Sequence, residues 1–440
     1  MVLPEHITRC MERLEAAGYA VYAVGGCVRD DYLGRSPHDF DLCTSALPEQ
    51  TEAVFADHPL QLDGKQHGTV CVVTEAEVVE ITTFRAEGPY SDNRHPDWVQ
   101  FVSQVEMDLA RRDFTINAMA WSPVRGYADP FCGREDLRKG LLRTVGDPWQ
   151  RFREDALRIL RGVRFASRYG LTLDPETEKA MFALAPTLQN LAQERIFDEL
   201  NRILPLLSGA DMIRFAPVLT EAIPELKPMV GFDQHSPHHA YDLYTHVAQV
   251  LDKMPADLDL RWAALLHDVG KVPTFTQDAT GRGHYYGHAK VGAEMASAIL
   301  KRFRATTALR QKVVTLIDQH MTRLKPDRIE LRYCLKDLGW DTVWKCLTLQ
   351  EADMSSKGMP VQKEPLRYYY VRRCLYQLEA ENACISIKQL AVTGRDLMDL
   401  GYQGREVGEK MKALLDLVMT EQTENTKEAL LARLEEKGEI

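Results

Sequence analysis

The sequence predicts an α+β protein of several domains, in which a small mixed sheet is followed almost entirely by helices. The chain has 440 residues, which is too long for one ordinary hydrophobic core. Segments rich in β-branched residues, among them HGTVCVV and EVVEITTFR, occur near its beginning and are typical of strands. A later segment, DPWQRFREDALRILRGVRFASRYG, is strongly helical in pattern. We therefore expect the sheet to end near residue 140.

The composition is that of a soluble globular protein, with 45% hydrophobic and 27% charged residues. We find no run of ~20 apolar residues, and the first residues look like an amphipathic helix rather than a signal peptide. No membrane contact is therefore expected. Nine cysteines without a CxxC pair argue against a disulfide framework or a thiolate zinc site. A reducing cytoplasm is the predicted location.

The charge distribution contains arguments both for and against a nucleic-acid partner. A net charge of −10 argues mildly against them, because phosphate-binding surfaces are usually basic. Between residues 134 and 168, however, ten Lys and Arg residues accompany five Asp and Glu residues, so this segment is locally at +5. A charge run is usually a solvated helix face, and by itself this one is weak support for a nucleic-acid partner.

The most informative segment begins at the strand-like Val21–Val24 and reads VYAVGGCVRDDYLGRSPHDFDLCT. Gly25 and Gly26 predict a tight turn, and residues 28–33 predict a short helix. Glycine lets backbone N–H groups approach a phosphate at the positive end of a helix dipole. Arg29 adds a permanent cation to the same turn. A strand, glycine turn and helix in this order favour a phosphate site.

Carboxylates follow in the next predicted strand. Successive side chains of a strand face opposite ways, so Asp39 and Asp41 are expected on one face while Phe40 and Leu42 point towards the core. Two such carboxylates can hold Mg²⁺ beside a triphosphate, because hard cations prefer oxygen ligands. Glu80, in a further predicted strand, is a candidate third carboxylate or simply an edge-strand charge.

Two later segments of the first domain also carry candidate ligands. Residues 86–96 read AEGPYSDNRHP, which predicts a mobile loop that closes over a substrate. In ARRDFTINAMAW, the paired Arg111 and Arg112 open a predicted helix that places Asp113 and Asn117 four residues apart on one face. Such a face could bind ribose hydroxyls while the arginines bind phosphates.

The strongly helical segment beyond residue 146 contains a possible base reader. Asp155 and Arg158 lie three residues apart, so both side chains can reach one ligand, as can Arg161 one turn later. The alternative is an ordinary helix ion pair between Glu154 and Arg158, worth ~0.2–0.5 kcal/mol. From the spacing alone the ion pair is favoured.

These segments together resemble the superfamily of class II tRNA nucleotidyltransferases and bacterial poly(A) polymerases, and within it the bacterial CCA-adding enzymes. The matching motifs, in family order, are GGCVRD with DFD, EITTFR, RRDFTINAMA, DPFCGREDL, EDALRILR and QERIFDEL. The resemblance implies a polymerase-beta-like nucleotidyltransferase head at 1–140 and a helical neck with base recognition at 141–215. It further implies a helical HD-type body at 216–375 and a tRNA-binding helical tail at 376–440.

The resemblance also implies an activity, the template-independent addition of CCA to the 3′ end of tRNA from CTP and ATP, with release of pyrophosphate. Asp39 and Asp41 would bind two catalytic Mg²⁺ ions, and Glu80 would be the third catalytic carboxylate. The residues implied to bind the nucleotide are Gly25, Gly26, Arg29, Arg112, Asp113, Asn117, Asp155, Arg158 and Arg161.

Other activities of the superfamily stay open. Poly(A) polymerases usually carry a GRRFRLxHV-like segment, whereas this chain reads DGKQHGTVCVV there. CC-adding enzymes tend to lack the complete loop, which is intact at residues 86–96. An A-adding enzyme is the main alternative, since it is harder to exclude from the sequence than the other two. A hydrolase whose head only positions RNA is the alternative from another class, and the presence of Asp39, Asp41, Asp155 and Arg158 argues against it. A non-catalytic RNA-binding protein is a third alternative, but it would not need both aspartates.

The second half resembles an HD phosphohydrolase domain, carried by HAYDLYTHVAQVL, RWAALLHDVGKVPTF, HYYGHAKVG and LQEADMSSKG. Imidazole and carboxylate together suit divalent transition metals. The candidate ligands are His246, His267, Asp268 and Asp353, with His288 and His320 available to a second ion. Related CCA-adding enzymes often keep an HD-like fold with a degenerate metal site, which is the alternative here.

The last segment resembles the tail that supports the outer corner of the tRNA in this family. Gly394, Gly401, Gly404 and Gly408 separate its amphipathic helical segments. Glycines at turns allow helix N-termini to approach phosphate groups. Simple punctuation between helices is the alternative.

Overall fold

A computed structural model describes residues 1–37, 39–88, 98–237, 239–358 and 364–436 of the chain. It divides into two compact units, one formed by Met1–Leu207 with Arg214–Lys227 and the other by Ser208–Ile213 with Pro228–Ile440. The finer division into head, neck, body and tail stays a prediction. None of the described helices is both long and apolar enough to cross a membrane.

Strands are concentrated in the first unit, as the α+β prediction requires. Its strands are β1 Val21–Val24, β2 Asp41–Thr44, β3 Leu60–Gln61, β4 Thr69–Val73, β5 Val78–Thr83, β6 Arg85–Glu87, β7 Val99–Phe101, β8 Ala120–Ser122, β9 Gly126–Ala128, β10 Leu141–Leu142 and β11 Thr172–Leu173. The helices up to residue 222 are α1 Glu5–Ala16, α2 Gly26–Tyr32, α3 Pro48–Val54, α4 Val105–Ala110, α5 Gly133–Lys139, α6 Pro148–Glu154, α7 Leu157–Tyr169, α8 Pro175–Leu184, α9 Gln193–Ile203, α10 Gly209–Arg214 and α11 Ala216–Ala222.

A seven-stranded sheet in the order β3-β4-β5-β2-β1-β8-β9 forms the centre of this unit. β2 and β5 are parallel, whereas the other neighbours are antiparallel, so the predicted mixed sheet is confirmed. All four residues of β1 are buried between β2 and β8, which explains its continuous apolar run. Val105 and Leu109 of α4 share a buried cluster with Val24 and Phe84. This packing fixes the end of β1, where the candidate site begins.

The second unit is almost entirely helical. It contains α12 Leu243–Asp252, α13 Leu258–Leu266, α14 Lys271–Thr274, α15 His288–Arg302, α16 Thr307–Gln319, α17 Arg328–Leu338, α18 Trp340–Ser355, α19 Glu364–Ala380, α20 Gly394–Asp399, α21 Arg405–Met419 and α22 Lys427–Glu436, with the short strands β12 Thr276–Gln277 and β13 Gly283–His284. One buried cluster joins α17, α18 and α19, and another joins α20, α21 and α22. α13 is buried along most of its length, which holds the residues that follow it in the interior.

Candidate active site

The turn after β1 requires glycine for two reasons. Gly25 has a φ of +76°, which L-residues with a side chain rarely adopt. A Cβ at this position would also lie 2.9 Å from Nη1 of Arg112. The N–H of Gly25 donates to the carbonyl oxygen of Met119 at 3.0 Å, so that N–H is not available to a ligand. Gly26 is already the first residue of α2, and both glycines line the cleft described below.

The three candidate carboxylates lie in one region of the sheet. Asp41 begins β2, and the pairing of Leu42 with Ile81 puts Glu80 beside it on β5. Partial loss of hydration, followed by repulsion from Glu80 and Asp39, raises the pKa of Asp41, although Arg112 opposes this. Asp39 lies just before β2, outside the strand that Asp41 begins, and its place on the same strand face stays a prediction. The two residues are nevertheless close enough to interact electrostatically.

Mutual repulsion of carboxylates is relieved by a divalent cation, so these residues fit one. These three carboxylates do not surround a cation on all sides, however. Within the described ranges, the groups that bring three or more ligand atoms within 4.8 Å of one another all lie in the second unit. An open set suits a cation that is shared with substrate phosphates and water.

Asp113 is the centre of a buried polar network. Its Oδ1 accepts hydrogen bonds from the main-chain N–H of Phe114 at 2.8 Å and from Nδ2 of Asn117 at 3.0 Å. Its Oδ2 accepts one from Nε of Arg161 at 2.7 Å. Arg29 in turn donates to Oδ1 of Asn117. All four residues were predicted to bind one nucleotide. In the structure they form a continuous chain of hydrogen bonds from Arg29 through Asn117 and Asp113 to Arg161.

The predicted helix that opens at Arg111 is absent. α4 ends at Ala110, Phe114 forms an antiparallel bridge to Thr144, and only residues 115–117 form a short 3₁₀ turn. The bridge holds this part of the chain in an extended conformation, which a helix would prevent. Asp113 and Asn117 still meet, because the 3₁₀ turn brings Asn117 back towards the carboxylate.

Burial opposes ionisation of Asp113, but Arg161 and the hydrogen bond from Asn117 outweigh it and lower its pKa to about 2 from an ordinary 3.8. The ionised form therefore contributes stability above about pH 4 that is lost as the pH falls through 2. That contribution is about 2 kcal/mol. Denaturant titrations at pH 5 and pH 2 measure the free energy of unfolding of the wild type and of Asp113→Asn. We expect the difference between the two proteins to be smaller at pH 2 than at pH 5. A gap of equal size at both values would contradict the assignment.

The strongly helical segment predicted beyond residue 146 forms two helices, with a break at Asp155. α6 ends at Glu154 and α7 begins at Leu157, with Asp155 in an extended conformation between them. Oδ1 of Asp155 accepts the N–H of Leu157 at 3.0 Å and thereby caps the start of α7. Its Oδ2 lies 2.9 Å from Nη2 of Arg195 on α9. The stretch is helical as predicted, but the carboxylate that caps the start of α7 divides it into two helices.

Arg158 forms the ion pair with Glu154 that the spacing favoured, although the pair joins α7 to the end of α6 across the break. Its Nη1 donates to Oε2 of Glu154 at 2.6 Å and to the carbonyl oxygen of Arg151 at 3.0 Å. Its Nη2 donates to the carbonyl oxygen of Arg111 at 3.3 Å. The ion pair does not exclude a ligand role, since Arg158 also lines the cleft.

One cleft of about 990 Å³ brings the candidate nucleotide-binding residues and Asp41 together. Its charged lining contains nine arginines and four carboxylates, namely Arg29, Arg85, Arg111, Arg112, Arg158, Arg161, Arg164, Arg168 and Arg195 with Asp41, Glu87, Asp113 and Asp155. Sequence reasoning missed Arg85, Arg164, Arg168 and Arg195 as cleft residues. The positive segment at 134–168 was the available signal for two of them. The excess of arginine suits a polyanion such as a triphosphate or RNA.

The predicted loop at 86–96 is only partly described. Its first residues belong to β6, which pairs with β7 so that Glu87 is opposite Val99. Residues 89–97, which hold the remainder of that prediction, lie outside the described residues. Glu87 forms ion pairs with Arg85 at 2.9 Å and Arg111 at 3.1 Å, which ties the base of the hairpin to the cleft wall.

A second candidate site lies inside the second unit. His246 on α12, His267 and Asp268 after α13, and Asp353 on α18 are all at most 7% exposed. Nε2 of His246 lies 3.0 Å from Asp353 and 3.5 Å from Asp268, and Nε2 of His267 lies 3.2 Å from Asp268. These contacts lack hydrogen-bond geometry, so both Nε2 atoms are buried without a hydrogen-bond partner among the described residues. Two unpaired imidazole nitrogens between carboxylates fit a divalent transition metal.

Three protein-family models match the chain. The poly A polymerase head domain matches residues 21–143, and the HD domain matches residues 243–349. The model described as the probable RNA and SrmB-binding site of polymerase A matches residues 170–213.

Named relatives agree with these matches. The CCA-adding enzyme of Geobacillus stearothermophilus is 46% identical over 48% of this chain and 51% of that protein, so this match spans about half of the relative's length. The CCA-adding enzyme of Bacillus velezensis is 32% identical over 95% of this chain and 94% of that protein. The structure of the Bacillus stearothermophilus CCA-adding enzyme with CTP covers 99% of this chain and 98% of that chain at 28% identity, with a TM-score of 0.67. The chain therefore belongs to the family of CCA-adding enzymes, which are nucleotidyltransferases, and carries an HD domain in its second half.

Proposed function

We propose that this chain adds C, C and A in turn to the 3′ end of tRNA from CTP and ATP, with Mg²⁺ as the cofactor and pyrophosphate as the leaving group. One observation carries the proposal: a single arginine-rich cleft holds Asp41 together with Asp155 and Arg158. A metal-binding carboxylate and a pair of base-reading side chains are the two parts that a template-independent polymerase needs. The free state of all nine cysteines supports a cytoplasmic location.

Asp39 and Asp41 would hold the Mg²⁺ ions, with Glu80 beside them on β5. The bound ions would activate the 3′-hydroxyl and stabilise the departing pyrophosphate. Arg112 reaches the glycine turn, where it can bind the triphosphate. Arg29 is only 5% exposed and is already bound to Asn117, so we assign it to positioning that amide rather than to phosphate contact.

Asp113 and Asn117 would bind the ribose from the buried network around them. The base would be read by Asp155, which accepts from an exocyclic amine, and by Arg158, which donates to the neighbouring ring nitrogen. On their Watson–Crick edges, cytosine and adenine both present an amine beside a ring-nitrogen acceptor, whereas uracil has no amine and guanine has its amine beside an N–H donor. A mismatched base would leave buried polar groups unpaired, which is how such a site discriminates.

Arg195 would hold the base reader in place, because it binds the carboxylate of Asp155 from α9. Replacing Arg195 by Ala frees that carboxylate to change orientation. We expect the preference for CTP over UTP, measured as a ratio of kcat/KM, to fall by about tenfold. Arg202→Ala is the matched control, since Arg202 is an exposed arginine on the same helix. If the two variants had the same preference for CTP over UTP, Arg195 would have no role in nucleotide selection.

A direct test of nucleotide choice supplies labelled CTP, ATP, UTP and GTP one at a time to a tRNA that lacks its 3′ CCA. We expect incorporation from CTP, with release of pyrophosphate, and none from UTP or GTP. Long A tracts from ATP alone would instead identify a poly(A) polymerase. Efficient use of UTP would contradict the proposed base reader.

We also propose a second activity, metal-dependent phosphoester hydrolysis by the HD domain. The grouping of His246, His267, Asp268 and Asp353 supports it, because their buried ligand atoms lie within 4.8 Å of one another and could hold one metal ion. The test measures phosphodiesterase activity on 2′,3′-cyclic nucleotides with Ni²⁺, Mn²⁺ or Mg²⁺. Activity that is lost in His267→Ala is expected. No activity with any of these ions would leave the domain a structural role.

A further inference from the structure

The side chain of Tyr169, the last residue of α7, joins that helix to α2. Its hydroxyl donates to Oδ1 of Asp30 at 2.8 Å, and Nε of Arg29 donates to the same oxygen at 3.0 Å. The guanidinium carbon of Arg29 also lies 4.6 Å from the centre of the Tyr169 ring. Tyr169 therefore holds Arg29 in two ways, directly through its ring and indirectly through the carboxylate that both residues bind.

Arg29 is a buried cation whose position is set by these partners. Phe165, one turn before Tyr169 on α7, lies 5.4 Å from the same guanidinium carbon, and the two rings are stacked at an interplanar angle of 21°. A buried charge is costly unless it is paired, so Arg29 depends on these rings and on Asp30. Burial raises the pKa of the Tyr169 hydroxyl, which therefore keeps its proton and can donate it to the carboxylate.

The position of Arg29 decides the orientation of the Asn117 amide. A guanidinium can only donate, so the amide atom that faces Arg29 is the oxygen Oδ1. The nitrogen Nδ2 then faces Asp113, whose carboxylate accepts one of its two N–H groups at 3.0 Å. Among the residues that the structure describes, Nδ2 has no second acceptor, so the other N–H is available to a ligand of the cleft. The opposite orientation would place donor against donor and acceptor against acceptor.

We propose that Tyr169 is a positioning residue for recognition of the ribose in nucleotide addition. By holding Arg29, it keeps the remaining N–H of Asn117 directed at the 2′-hydroxyl of the incoming nucleotide, which can accept it. A 2′-deoxynucleotide has no acceptor there. The same helix also holds the other side of the ribose site, because Nη2 of Arg161 lies 2.6 Å from Oδ2 of Asp113. The inference rests on the proposed addition of CCA.

The test compares CTP with 2′-deoxy-CTP as substrates for a tRNA that lacks its 3′ CCA. Tyr169→Phe keeps the ring beside Arg29 but removes the hydroxyl that binds Asp30. We expect the ratio of kcat/KM for CTP to that for 2′-deoxy-CTP to fall by about tenfold, as for the loss of one hydrogen bond to a charged group. Tyr127→Phe is the matched control, since the Tyr127 ring also packs on an arginine, at 4.5 Å from the guanidinium carbon of Arg134, and it should keep the wild-type ratio.

A double-mutant cycle tests whether Tyr169 acts through Asp30. Asp30→Ala should lower the ratio by itself, and adding Tyr169→Phe to it should lower the ratio no further. A hydroxyl that served stability alone would change the unfolding temperature but not the ratio.

The outcomes separate this inference from the proposed function. A wild-type ratio in Tyr169→Phe, or independent effects of the two substitutions, would overturn the role of Tyr169 and leave CCA addition intact. Equal use of CTP and 2′-deoxy-CTP by the wild type would overturn the recognition of the 2′-hydroxyl. A wild-type protein that adds neither nucleotide would overturn the proposed function and the inference with it.

Discussion

Replacing Asp41 by Asn is expected to lower nucleotide addition by about 10³-fold or more, with little change in folding. Asp41 begins β2 beside Glu80, and its pKa is raised by partial loss of hydration and by the neighbouring carboxylates, so a bound cation would stabilise its charged form. An amide removes the charge that binds the metal while keeping the size of the side chain. Metal ions contribute several kcal/mol of transition-state stabilisation, which corresponds to a loss of this size.

Single-turnover incorporation of C into a tRNA without CCA measures this effect. Glu75→Gln is the matched control, because Glu75 is an exposed carboxylate in the turn between β4 and β5. We expect the control to keep wild-type rates and both proteins to unfold at similar temperatures. If Asp41→Asn retained more than about a tenth of the rate, the carboxylates of the sheet would not be the metal ligands of the reaction.

Gly25→Ala is expected to lower kcat/KM for CTP by about 10²-fold, because it displaces a cleft arginine. The added Cβ would lie 2.9 Å from Nη1 of Arg112, so that side chain must move away from the turn. The positive φ of +76° adds a backbone cost of about 1–2 kcal/mol to folding. Two effects are thus combined in one substitution.

The variant Gly34→Ala separates the backbone cost from the displacement of Arg112. Gly34 has a similar φ of +70°, but an added Cβ there meets nothing within 4 Å. We expect the two variants to lose similar stability in thermal unfolding and only Gly25→Ala to lose activity. Equal activity in both variants would show that Arg112 does not need the space above Gly25.

Short-range patterns predicted much of this molecule. The strand, turn and helix at Val21–Val24, Gly25 and α2 follow from an apolar run and a glycine pair, which depend on neighbouring residues only. The resemblance to HD domains named His267 and Asp268 as candidate ligands, and these two residues are adjacent in the sequence at the end of an apolar helix. Such features are present in the folded protein because the local conformational preference of the segment and its burial in the core favour the same structure.

Features that depend on distant contacts could not be predicted. Arg195 reaches Asp155 across 40 positions, and no spacing rule relates them. The bridge between Phe114 and Thr144 prevents a helix that the residues 111–117 alone favour. The break at Asp155 arises because its side chain caps α7, whereas the sequence reads equally well as one helix. In each case a tertiary or capping contact outweighs the helix propensity of the segment.

The most direct measurement uses three forms of one tRNA, ending before CCA, after C and after CC, each incubated with the protein, Mg²⁺ and labelled CTP or ATP. We expect CTP to add to the first two forms and ATP to the third. With both nucleotides present, the first form should end in a complete CCA and extend no further. Incorporation of A into the CC-ended tRNA alone, with no use of CTP by the other two forms, would contradict full CCA addition and identify an A-adding enzyme.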